Sequence, residues 1–148
     1  MRQAMAMAGL AVGTSIAILT ACGSAMSGYD PTVPTHITYF DGGDQRGRVD
    51  TPLEKPLLAK ITNQIGSPVA GVRVDWYIVA GGGRLSDSTS ISDSKGIVCN
   101  TLMLGPRVET IRVQAVTDLS GSPIYFNASA VRYSGGGEAV PAVCTPAP

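Results

Sequence analysis

The residues of this 148-residue chain whose chemistry is easiest to name are three cysteines, a single histidine and a pair of close aspartates. Cys22 stands directly after Leu19-Thr20-Ala21, where an apolar stretch gives way to a polar one. A thiolate at that point can accept an acyl-glycerol group. Small Ala21 before it, after Leu19 and Thr20, suits a tight peptidase cleft. Cys99 and Cys144 then make an even pair. In an oxidising compartment such a pair forms a disulfide, the alternative being two free thiols. Closing that loop of about 45 residues is worth roughly 4 kcal/mol in the chain-entropy picture. His36 has no cysteine or carboxylate at motif spacing, so a solvated or packed strand-end position outweighs a catalytic or metal-binding one. Asp41-Gly42-Gly43-Asp44 brings two carboxylates where Ca²⁺ takes six to eight oxygens. Neither a Gly-x-Ser-x-Gly elbow, a His-Glu-x-x-His pair nor a phosphate loop occurs. No catalytic residue, metal, cofactor or small-molecule substrate is therefore expected.

The segments that carry these residues differ sharply in composition. Residues 1–21 hold one charge, Arg2, then a run of Ala, Gly, Met, Leu, Val and Ile, the layout of an export signal. The uncharged run is close to the ~20 residues of a membrane-spanning helix. Gly9, Gly13, Thr14, Ser15 and Thr20 weaken it, and no Lys or Arg follows as a stop signal. Residues 22–34 are small, polar and Pro-interrupted and read as a flexible tether. Residues 35–133 are the folded domain, and 134–148 a Gly- and Pro-rich tail that Cys144 would tie down. The 11 basic and 11 acidic residues balance, so the footprint of a nucleic-acid binder is absent.

Within the domain the chain is rich in turns, with 18 Gly and 10 Pro overall and no helix-periodic segment after Cys22. The reading is all-β. His36 to Phe40 is the first strand candidate, with Ile37, Tyr39 and Phe40 as apolar members. Asp41 to Glu54 reads as a polar loop. Leu57 to Thr62 alternates with a period of two. Val72 to Val79 is the clearest strand, with Val72, Val74, Trp76 and Ile78 on one side. Trp76 is thus the expected core anchor. Short segments at Arg84 to Ser86 and Thr89 to Ile91 follow, then Ile97 to Leu104 with Val98, Leu102 and Leu104 on one face. Glu109 to Val116 and Ile124 to Ala128 complete a two-sheet β-sandwich of about seven strands. Cys99 falls on an outward face, and Tyr77, Ile97 and Met103 are candidates for an exposed apolar patch.

Two resemblances follow from these residues. Leu19-Thr20-Ala21-Cys22 resembles the lipobox of bacterial lipoproteins, which implies cleavage before Cys22 and a stable lipid anchor on it. Gly23, where an aspartate would mark inner-membrane retention, implies the outer membrane or cell surface. The ordered pieces Gly66-Ser67-Pro68-Val69-Ala70-Gly71-Val72-Arg73-Val74-Asp75-Trp76, Gly81-Gly82-Gly83-Arg84-Leu85, Asp93-Ser94-Lys95-Gly96, Leu104-Gly105 and Gly121-Ser122-Pro123-Ile124-Tyr125-Phe126 are similar to bacterial immunoglobulin-like domains of the invasin and intimin type. That resemblance covers about residues 53–130 and implies an immunoglobulin-like sandwich serving as a spacer, stalk unit or adhesive module. The functional expectation is a non-enzymatic envelope lipoprotein that meets the membrane through Cys22 and another envelope or surface protein through its domain. The rival readings are a carbohydrate-binding or adhesion module, which needs exposed aromatics other than inward Trp76, and an accessory subunit of an envelope enzyme.

Overall fold

The computed structural model describes residues 30–132 and 143–144, so the expected signal, Cys22 and most of the tail lie outside the described residues. Ten strands are present among the described residues: β1 (His36–Asp41), β2 (Gln45–Arg48), β3 (Leu57–Thr62), β4 (Arg73–Ala80), β5 (Gly83–Leu85), β6 (Thr89–Ile91), β7 (Ile97–Asn100), β8 (Leu102–Leu104), β9 (Glu109–Val116) and β10 (Ile124–Val131). They form a three-stranded sheet β1-β3-β7, a five-stranded sheet β2-β10-β9-β4-β6 and a small β5-β8 ribbon. The two larger sheets face each other across the core, so the architecture is an all-β sandwich. Its strands outnumber the roughly seven expected because two segments behave differently from their patterning.

The first is Asp41 to Glu54, whose polar composition reads as a loop. The chain here leaves the three-stranded sheet and enters the five-stranded one, where β2 pairs in parallel with β10 from Gln45↔Ala128 to Arg48↔Val131. Gln-Arg-Gly-Arg carries no apolar alternation because Gly47 supplies its inward position, under Leu53 and Leu104. Backbone pairing alone makes it a strand. The crossover turns at Gly42, whose φ is +89° and where a Cβ would collide with the Pro56 carbonyl oxygen. Only glycine accepts both conditions.

The second is Ile97 to Leu104, expected as one strand. Val98, Asn100, Leu102 and Leu104 are all buried, as a period of two demands, but Asn100 divides the run between two sheets. Its side-chain oxygen accepts from the Ser86 hydroxyl at 2.8 Å and the Thr101 amide at 2.9 Å, and its Nδ2 donates to the Asp87 carbonyl at 2.7 Å. These bonds draw the 86–87 loop onto the chain, and β8 leaves β3 to pair with β5. Asn100→Ala strands several buried polar groups at once. It should cost about 2–3 kcal/mol, since each unsatisfied group costs ~1–3, read as a lower urea midpoint.

Core packing follows the alternation. Ile37, Leu57, Ala59, Ile61 and Val98 point inward from the three-stranded sheet. Val74, Trp76, Ile111, Val113, Ala115, Phe126, Ala128 and Ala130 meet them from the other. Trp76 lies opposite Ala115 in the register, so the largest side chain sits beside one of the smallest. Its ring contacts Phe126 at 5.6 Å between centroids, and its Nε1 donates to the Ser90 hydroxyl at 2.7 Å. β1 departs from expectation, because only Ile37 is buried while Tyr39 and Phe40 are half exposed. Tyr39 shares the inward side with Ile37 at the sheet edge, its ring 5.4 Å from that of Phe126, while Phe40, at the register shift between Tyr39 and Asp41, faces outward.

Candidate functional site

The chemistry-bearing residues do not converge. His36 is exposed, with its Nδ1 2.7 Å from the Thr35 hydroxyl. Asp41 accepts the Gly42 amide at 2.7 Å, and no group of three or more metal-ligating side chains occurs among the described residues. Leu19, Thr20, Ala21 and Cys22 lie outside the described residues. Trp76 is 2 % exposed and packs in the core. What the fold does build is two outer faces.

The first is the outer face of the three-stranded sheet, where Cys99 of β7 is bridged to Cys144 with 5.7 Å between the Cα atoms. The alternation explains the place. Val98 and Asn100 fill the core side, so the Cys99 sulfur emerges on the outside and captures the tail there. Val143 and Cys144 thus border an open groove of about 470 Å³ whose apolar wall is Phe40, Leu58, Ile91 and Ile97. Phe40, on the outward side of β1, lines this groove. Residues just ahead of the domain are also held down, since Asn63 Nδ2 donates to the Pro31 carbonyl at 2.9 Å.

The second is the outer face of the five-stranded sheet. Tyr77 of β4 lies opposite Gln114 of β9, and Gln114 lies opposite Tyr125 of β10. Three outward side chains therefore stand in one row across three strands, with Tyr77 52 % and Tyr125 42 % exposed. In the neighbouring row Arg112 faces Asn127, and its guanidinium lies 4.0 Å from the centroid of the Tyr125 ring. Further along, β2 presents Arg46 and Arg48 to solvent. At the far side Arg73 bridges Asp75 at 3.0 Å. The Thr89 hydroxyl, donating at 2.7 Å, and then Arg73 hold the Asp75 carboxyl below its usual range.

The expected patch of Tyr77, Ile97 and Met103 is not formed. These residues belong to three different sheets, and Tyr77 and Ile97 stand on opposite outer faces of the sandwich. Alternation correctly turns each outward, but it carries no information about which strands become neighbours. For the same reason the Tyr77–Gln114–Tyr125 row has no linear signature.

No protein-family profile and no curated protein sequence matches the chain. Among solved structures, the D0-D1 domains of intimin superpose with a TM-score of 0.54 at 20 % identity, over 67 % of this chain and 49 % of that one. The D00-D0 domains of intimin give 0.50 at 21 % identity, over 73 % and 52 %. The chain thus spans about half the length of the intimin fragments it matches. The likeness is one of fold: the described domain is an all-β sandwich with the immunoglobulin-like fold of these intimin domains.

Proposed function

We propose that this chain is a non-enzymatic, lipid-anchored module of the cell envelope. Residues 1–21 act as the export signal, lipid on Cys22 holds the protein to the outer membrane or cell surface, and the domain within 35–133 meets an envelope or surface protein. The observation that carries this reading is the cysteine pairing. With Cys99 bridged to Cys144, Cys22 is the odd member of the set and keeps its thiol for modification. A disulfide also suits an oxidising compartment outside the cytoplasm. One acyl chain holds only marginally, and stable anchoring needs two or more. Twelve residues, 23–34, separate Cys22 from the domain, a span of at most about 40 Å. The domain would therefore work close to its own membrane, as a contact or spacer unit.

The test is fractionation of cells expressing the chain and its Cys22→Ser variant. The parent protein should partition into detergent-extracted membranes, with an intact mass that includes lipid and starts at Cys22. The variant should carry no lipid mass and should not start at residue 22. A parent protein whose intact mass carries no lipid overturns the anchor.

A further inference from the structure

We infer that the outer face of the five-stranded sheet is a binding platform for an acidic polysaccharide, held by the Tyr77–Gln114–Tyr125 row, by Arg112 beside it and by Arg46 and Arg48 further along the face. Three observations converge on this face. Its two exposed tyrosines are placed by hydrogen-bonded register rather than by loops, so the platform is part of the rigid sheet. Tyr77 and Tyr125 stand two strand spacings apart, about 9.6 Å at the Cα level. That separation suits two pyranose rings of one extended chain, each laying its C–H face on a tyrosine.

Between and beside the rings stand amides. Gln114 lies in the row and Asn127 in the next, each offering a donor pair and an acceptor. Neighbouring hydroxyls of a sugar present the complementary donors and acceptors, whereas an apolar protein partner would leave these amides unsatisfied.

The charge on the face selects the kind of sugar. The chain is neutral overall, yet β2, β9 and β10 present Arg46, Arg48 and Arg112 outward with no carboxylate among them. Glu109 of β9 is half-buried and accepts the Gly82 amide at 2.8 Å. Asp75, the acid on this face of β4, is already engaged by Arg73 and Thr89. Arg112 is fixed against the Tyr125 ring, which holds its guanidinium in place beside the row at low entropic cost. Carboxylates along a uronic acid chain match this arrangement, because guanidinium pairs with carboxylate bidentately. Three cations are few for nucleic acid, whose affinity rests on many phosphate contacts.

The test is affinity electrophoresis of the full chain in detergent through gels containing alginate, with dextran as a neutral glycan and poly(dT) as a nucleic acid in parallel gels. Alginate should retard the parent protein. Tyr77→Ala/Tyr125→Ala and, separately, Arg112→Gln should each weaken that retardation about tenfold, the equivalent of ~1.4 kcal/mol. Arg46→Gln, on the edge strand, gives a milder loss. All four positions point to solvent, and unchanged urea midpoints would show that the fold is intact. Failure of alginate to retard the parent, equal retardation of the double tyrosine variant, or stronger retardation by dextran or poly(dT) would each overturn the assignment. The measurement does not depend on lipid at Cys22, so its outcome is separate from the fractionation result.

Discussion

Trp76→Ala should lower the unfolding free energy by about 3–5 kcal/mol, the range for deleting a large buried aromatic. Three losses combine. The indole leaves the centre of the sandwich, where Phe126 packs against it and Ala115 across the strand is too small to fill the space. The Ser90 hydroxyl loses the donor that reaches it at 2.7 Å. The five-stranded sheet loses the contact that joins β4 to the inner face of β10. A domain of this size has about 5–15 kcal/mol in all. The variant should therefore be partly unfolded at mild urea concentrations. Far-ultraviolet circular dichroism is the right probe, because the substitution removes the chain's sole tryptophan. Trp76→Phe should fall between, since it keeps most of the apolar volume and gives up the hydrogen bond. If Trp76→Ala unfolds at the parent midpoint, the indole is not the core anchor.

Loss of the Cys99–Cys144 bridge should be comparably large and act by another route. The link closes a loop with a sequence separation of 45, which includes β8, β9 and β10. In the unfolded chain that closure removes conformations worth roughly 4 kcal/mol. In the folded domain the bridge lies on the outer face, so Cys99→Ala/Cys144→Ala removes few core contacts. The expected signature is a drop of up to about 4 kcal/mol, with the native circular dichroism spectrum retained before unfolding. Reductant should reproduce the drop in the parent and leave the double variant unchanged. Intact mass should rise by about 2 Da on reduction, the two hydrogens regained. A parent whose midpoint ignores reductant would place the stability elsewhere.

Much of this was legible from residue order. The period-two runs of Leu57 to Thr62, Val72 to Val79, Glu109 to Val116 and Ile124 to Ala128 assign strands and inward faces, because alternation is a local property of the pleat. Trp76 and the outward direction of Cys99 follow from the same count. β2 was not legible, since a strand with glycine at its inward position and arginines outside has no apolar pattern and exists only because β10 offers a partner. The break at Asn100 was likewise hidden. An asparagine inside an alternating run becomes a divider only when Ser86 and Asp87 come near enough to bond it.

The division between sequence and tertiary structure is sharpest at the functional residues. By itself the sequence determined the all-β class, the inward tryptophan and the Leu19–Cys22 motif, because each depends on neighbours a few positions away. Only the tertiary structure decided that Cys99 meets Cys144, that Phe40 lines a groove with Ile97 and Val143, and that Tyr77, Gln114 and Tyr125 share a row. Those arrangements depend on which strands lie side by side, and strand order is set by the burial of both sheets together.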